Sequence, residues 1–395
     1  MHAGKYSDKA IQLAVQSLTT DTDSDNNLPW VASFEERFAK FTGFKFAIAV
    51  NSGTSGLHAS LLSIGIVPGD EVISPALTVI MDAFSTVYTG AVPVFADVDL
   101  ETWNMDPSIV ESLITSKTKA IIAVSWFGLP ADLTILRKLC DKYKLLLLDD
   151  SAETISINPL EPNDKYKPDI RVFSFESKKH MSTGGEGGMV VTDNEVLAKK
   201  IRQFSGLGYK HLTADRGRTS LAAKIFQNPD YERFDSIGFN YRMTPVTAAI
   251  GIGQLSNIEL MLNSRIKAAI KYREAIKNCE WLVPQPTNQN GVNHTYYTFG
   301  VRFLGLPKRN LTWVEFYQRF TEAGGDGFYA NCKNPYLEPI FYGKNYGKQL
   351  LKSGLCPNAE KLQTEIMAFK TNYLDDAVLS KQTELLSNLI DEIGR

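Results

Sequence analysis

The stretch FSFESKKHMSTGGEGGMVV, Phe173 to Val191, sets two adjacent lysines and a histidine between a short aromatic strand and a glycine-rich turn. A lysine amine held among apolar walls falls in pKa and can condense with a carbonyl as a Schiff base. A solvated lysine pair does nothing of the kind, and the pair alone leaves both readings open. The glycines from Gly184 to Gly188 do not form a nucleotide loop. They run into the strand MVVT, whereas dinucleotide and phosphate-loop fingerprints open a helix. Their use is to let backbone pass close to something bulky.

Three more stretches carry chemistry. In LLLLDDSAET, four apolar residues set Asp149 and Asp150 at the end of a buried strand, where a carboxylate needs a partner. A cationic ring nitrogen would serve; so would an ordinary ion pair. No histidine or further carboxylate cluster accompanies the two acids, so no metal is expected. In VNSGTSGLHASLL a strand ends, Gly53 turns the chain, and a helix begins near Ser55. Free N–H groups at such a helix start form an anion site. In FDSIGFNYRMTPVTAAIGIGQL, Asn240, Tyr241 and Arg242 precede Thr244-Pro245, which starts a helix rich in small residues.

The elements behind these residues follow a pattern. From Glu35 to Val191, short apolar strands alternate with amphipathic helices, which predicts a parallel sheet covered on both faces. In such sheets ligands bind at the carboxyl ends of the strands. Beyond about Leu262, HTYYTFGVRF and two amphipathic helices, TWVEFYQRFTEAG and VLSKQTELLSNLIDEI, predict a smaller α/β domain. The mixed-charge stretch Lys210–Arg233 reads as a long loop. The chain of 395 residues is too long for one small core. A net charge of −2 gives no footprint for nucleic acid or an anionic membrane, and no apolar run reaches a membrane span. Cys140, Cys279, Cys332 and Cys356 lack zinc spacing and read as buried or inert thiols of a reducing cytoplasm.

Together with FEERFAKFTG, PGDEVISPALT, AVPVFADVD, GLPADL and CPNAEKL, these stretches resemble the nucleotide-sugar aminotransferase family (DegT/StrS type) of fold-type I enzymes, which use pyridoxal 5′-phosphate (PLP). The resemblance runs from about Phe34 to Leu262 and returns at HTYYTFGVRF and CPNAEKL. It implies an α/β fold: a large PLP-binding domain over residues 1–262 and a small C-terminal domain over 263–395, with the N-terminal segment able to pack on the small domain. The Schiff-base lysine of the family lies five residues after a serine, which from Ser174 is Lys179 rather than Lys178. Counting back six from Glu186 reaches His180 instead, a mismatch explained by one extra glycine, Gly184 or Gly185. Relatives with histidine in place of the lysine are sugar dehydratases, so Lys179 points to transamination.

By the same matching, Asp150 faces the pyridine nitrogen, and Glu153 falls near the phenolic oxygen, where the family often has Gln or His. Gly53, Thr54 and Ser174 hold the phosphate. Asn240 resembles the residue that reaches the phosphate from a neighbouring subunit, which implies a homodimer with shared active sites. Arg242 and His180 are substrate-binding candidates. Val79 stands where an aromatic usually stacks on the ring. The implied activity is a ping-pong transfer from an amino acid, glutamate by resemblance, to a keto group of a nucleotide-linked deoxysugar in the cytoplasm, with loop Lys210–Arg233 helping to bind the acceptor. A keto-sugar dehydratase, a transaminase of a small non-sugar carbonyl and a non-catalytic PLP-binding sensor are the competing readings.

Overall fold

The computed structural model describes residues 6–155, 167–215, 223–289 and 291–395. Seven strands form one sheet: β1 (Phe46–Val50), β2 (Glu71–Pro75), β3 (Val92–Ala96), β4 (Thr118–Val124), β5 (Leu146–Asp150), β6 (Ile170–Ser174) and β7 (Gly188–Thr192). Their order is β1-β7-β6-β5-β4-β2-β3. The neighbours from β3 through β2, β4 and β5 to β6 pair in parallel, and β7 runs antiparallel to both β1 and β6. Runs such as AIIAV in β4 and Leu147-Leu148 in β5 are buried because helices cover both faces. The sheet is the mostly parallel one that the alternation predicts.

The first four crossovers, from β1 to β5, each end a strand and lead into a helix, and that sets the polar residues. Ser52 caps the helix Gly53–Ser63 by accepting the Ser55 amide, and the Ser55 side chain answers at the Ser52 amide. The helix Met81–Tyr88 follows β2 without a side-chain cap and carries Asp82 in its first turn. Between β6 and β7 the chain must fold back on itself, and Gly184 and Gly185 take left-handed backbone there, with φ of 97° and 121°.

The C-terminal part forms a four-stranded antiparallel sheet from Leu282–Pro284, Thr298–Phe303, Tyr329–Ala330 and Ile366–Lys370. Trp281, Phe299, Phe316, Phe369 and Leu386 fill its core. The helix Ile258–Ala275 runs across residues 262 and 263 and joins the two parts. Two features of packing differ from the expected division. Tyr336, Phe341, Leu351 and Leu362 pack into the core of the seven-stranded sheet, and Gln349 bonds both the amide and the carbonyl of Phe95 in β3. The helix Asp8–Ser17 lies against the helix Pro245–Leu255, not on the small sheet.

The ends of the expected loop are closed on each other: the Lys210 amide donates to the Arg233 carbonyl at 3.0 Å, and Tyr209 stacks on Phe234. Residues 216–222 of that loop lie outside the described residues. Among the described residues no helix is long and apolar enough to cross a membrane.

Candidate active site

Three strand ends converge. Asp150 ends β5, Ser174 ends β6, and Ser52-Gly53 follows β1. A methyl group on Gly53 would stand 3.0 Å from Cβ of Ser174 and would force the two apart by a few tenths of an ångström, so glycine suits this close approach. The result is a small cradle. The amides of Gly53 and Thr54 open a helix and have no acceptor within it, and the Ser174 hydroxyl is alongside. Amides and a hydroxyl grouped at a helix start suit a phosphate.

From Ser174 the chain turns through Glu176 and brings the lysine pair over Asp150. The two lysines part here. Lys178 is exposed, with its ammonium 5.7 Å from the Tyr329 ring. Lys179 is turned inward: Nζ lies 3.1 Å from Oε1 of Glu153 and 4.5 Å from the centre of the Tyr297 ring. Burial works to lower its pKa, but Glu153, Tyr297 and Asp150 outweigh that and raise it. The amine rests as an ammonium ion, not as the neutral nucleophile that burial alone would make.

Asp150 is buried, and burial pushes its carboxyl up to about 6. The Ala152 amide, which Oδ1 accepts at 2.9 Å, and the Lys179 charge pull the other way. Asp149, one residue earlier, points to the opposite face and pairs with Arg171 at 2.6 Å. Glu153 uses both oxygens, taking the Phe127 amide at 3.0 Å on Oε2 and Lys179 on Oε1. That amide is aimed by a left-handed Phe127, φ 56°.

His180, expected to face substrate, does not. It is buried, and Nε2 lies 3.0 Å from the Thr295 carbonyl. Burial, and then the Arg265 charge, hold its pKa well below the usual range. The neutral ring therefore donates to that carbonyl and braces the lysine loop. Arg265 braces the same loop, donating to the carbonyls of Lys178 and Lys179 at 3.2 Å each. Asn240 and Arg242 are exposed. The Asn51 amide donates to the Tyr241 carbonyl between them, which fixes both residues one step from the phosphate cradle. Val79 lines a cleft of about 620 Å³ with Met81, Phe84, Cys332, Lys333 and Glu338. The expectation of buried thiols holds for Cys140, Cys279 and Cys356 but not for Cys332. It is exposed, lines the same cleft, and its thiol donates to the Thr78 carbonyl.

No group of His, Cys, Asp or Glu fit to hold a metal occurs among the described residues. The residues do fit PLP: a cradle for its phosphate, a buried acid for its ring nitrogen, and an inward lysine for its aldehyde.

The model of the DegT/DnrJ/EryC1/StrS aminotransferase family matches residues 6–373. The chain belongs to that family. It is thus a PLP-dependent sugar aminotransferase. It is 36% identical over 273 residues to the GDP-perosamine synthase of Caulobacter vibrioides, covering 69% of each chain. It is 34% identical to a spore coat polysaccharide biosynthesis protein of Bacillus subtilis, over 84% of this chain and 82% of that one. The X-ray structure of an aminotransferase from Psychrobacter cryohalolentis superposes with a TM-score of 0.84 at 24% identity, over 98% of both chains. The structure of 3-amino-5-hydroxybenzoic acid synthase superposes with a TM-score of 0.80 at 26% identity, over 98% of this chain and 97% of that one.

Within this aminotransferase, sequence reasoning passed over Asp82, Tyr297 and the Phe127 amide. Tyr297 stood in the strand-like run HTYYTFGVRF and Phe127 in SWFGLP, a polar-aromatic stretch at a strand's carboxyl end. That position was the available signal.

Proposed function

We propose that the protein moves an amino group from an amino acid, glutamate, to a keto carbon of a nucleotide-linked deoxysugar. The observation that carries this is the contrast within the lysine pair. Lys179 is buried against Glu153 and beside Asp150, whereas Lys178 faces solvent. Similarity to GDP-perosamine synthases supports a nucleotide sugar as acceptor.

Bound PLP supplies an electron-withdrawing ring that stabilises negative charge at the carbon losing its proton. The chain's own groups do the rest. The Gly53 and Thr54 amides and the Ser174 hydroxyl anchor the phosphate. Asp150 keeps the ring nitrogen protonated. Lys179 would carry the proton: its Nζ is placed to take one from the carbon of the bound donor and, in the reverse direction, to return one to the carbon of the acceptor. Before it can react, the ammonium must lose a proton, and the Glu153 carboxylate at 3.1 Å is the base within reach. The apolar floor of the cleft, Val79, Met81 and Phe84, excludes water and seats the deoxy part of the sugar, with Lys333 and Glu338 at its rim.

In this reading the working unit is a homodimer. The exposed Asn240 and Arg242 reach a partner's phosphate and donor, and the loop Lys210–Arg233 helps to bind the acceptor. The free thiols of all four cysteines suit the cytoplasm. The test uses Lys179→Ala and Lys178→Ala with PLP and ¹⁵N-glutamate. Lys179→Ala should lose the Schiff-base absorbance and all exchange, while Lys178→Ala keeps both. Label should enter the sugar; a deoxygenated product without label would mean dehydration, and an active Lys179→Ala would refute the assignment.

A further inference from the structure

Asp82 takes no part in the chemistry above, yet its surroundings are unusual. It is fully buried in the first turn of the helix Met81–Tyr88. The Thr78 hydroxyl donates to its Oδ2 at 2.8 Å. Its Oδ1 has no partner among the described residues, although the carboxyl lies within hydrogen-bonding reach of that of Asp150.

Two carboxylates in contact away from water cannot both stay ionised. As pure acceptors they would also leave the buried Oδ1 unsatisfied, which is costly away from water. One proton between them removes both penalties, since a protonated carboxyl is a donor. The neighbours decide which acid keeps it. Asp150 accepts the Ala152 amide and feels the Lys179 ammonium, both of which favour its charged form. Asp82 has one hydroxyl, and burial and the Asp150 charge both hold its pKa well above the carboxylate range.

We infer that Asp82 is a positioning residue: kept neutral, it donates from Oδ1 to the Asp150 carboxylate, fixes the orientation of that group and holds it ionised for the cationic ring nitrogen. The part played toward the ring rests on the reading of Asp150 given under Proposed function. The location of the proton does not.

The test has one arm without cofactor and one with it. Infrared spectra of the cofactor-free protein at neutral pH should contain the carbonyl stretch of a buried protonated carboxyl, and Asp82→Asn should lose that band. Absence of the band, or its persistence in Asp82→Asn, would overturn the inference. With PLP bound, Asp82→Asn keeps both hydrogen bonds, because its amide donates to Asp150 and accepts from Thr78. Its half-reaction with glutamate should stay within about three-fold of the parent. Asp82→Ala removes the donor and should slow that step about ten-fold or more, with KM for glutamate little changed. An Asp82→Asn protein as slow as Asp82→Ala, or an Asp82→Ala protein at parental rate, would also overturn it. Should Asp82→Ala fold poorly, Asp82→Asn alone decides. Failure of the reading of Asp150 itself would look different: Asp150→Asn would turn over normally while the band in the parent protein remained.

Discussion

The Lys179–Glu153 pair makes a quantitative prediction that needs no catalysis. At 3.1 Å and an effective dielectric near 20, the attraction is about 5 kcal/mol before desolvation is subtracted. Both side chains are largely buried, at 14% and 8% exposure. Removing one member of such a pair leaves a buried charge alone and costs about 3–5 kcal/mol. Glu153→Ala also strands the Phe127 amide, so it belongs at the upper end, and Lys179→Ala at the lower. The double variant Lys179→Ala/Glu153→Ala loses both charges together. It should therefore be more stable than the sum of the singles implies, by about 2 kcal/mol or more. The assay is urea unfolding of the four cofactor-free proteins at pH 7.5, with a common slope as the condition for comparison. Additivity within about 0.5 kcal/mol would refute the buried pair. So would a Glu153→Ala protein within about 1 kcal/mol of the parent, since a solvated pair is worth no more than that.

Four further outcomes follow from the geometry. The Asp150 carboxyl titrates at about 6 in the folded chain against 3.8 ordinarily, so its contribution to stability is complete below pH 3.8 and is lost as pH rises through 6. The loss is about 3 kcal/mol, and urea unfolding of cofactor-free Asp150→Asn should lack it; equal slopes in both proteins between pH 4 and 7 would refute it. The buried His294 is held down to about 3, chiefly by burial, so its contribution is present above pH 6.5 and lost as pH falls. The destabilisation of the parent between pH 6.5 and 4 should be smaller in His294→Gln by about 3 kcal/mol, read by the same unfolding assay. Gly53→Ala puts a methyl group 3.0 Å from Ser174 Cβ and should weaken PLP binding about ten-fold or more in a fluorescence titration. Iodoacetamide should label Cys332 first among the four thiols, by peptide mass, and block amination of the keto sugar while sparing the glutamate half-reaction.

How far these residues could be read in advance depended on their distance along the chain. Asp150, Ser174 and the lysine pair lie within 30 residues, at the ends of consecutive apolar strands. The rule that ligands gather at carboxyl ends therefore finds them. The choice of Lys179 over Lys178 needed the family spacing, because side-chain direction in an irregular turn has no period. Tyr297 reaches the site from the small sheet and Asp82 from the second crossover, and both lie far along the chain from Asp150 and the lysine pair. His180 looked available beside two lysines, but the Thr295 carbonyl that captures it is 115 positions away. The segment from Tyr336 to Leu362 was assigned to the small domain by sequence order. Its apolar side chains fill a gap beside β3 instead, an outcome set by packing.

The charges at the site argue for what completes it. Asp149 is neutralised by Arg171, and Arg265 is occupied by the carbonyls of Lys178, Lys179 and Tyr297. That leaves Asp150, Glu153 and the single ammonium of Lys179. With the proton on Asp82, Asp150 and Glu153 share the ammonium of Lys179 as their nearby counterion, and burial still holds the Asp150 carboxyl up at about 6. A neutral aromatic ligand would leave those two acids to share that one ammonium. A ring with a protonated nitrogen against Asp150 would give that acid a counterion of its own, and would at the same time let Lys179 give up its proton, since the ammonium would no longer be shared by two acids. Binding and activation of the lysine are then one electrostatic event. It follows that PLP should bind more weakly to Asp150→Asn, and that the Schiff base formed there should lose its proton at lower pH than in the parent protein.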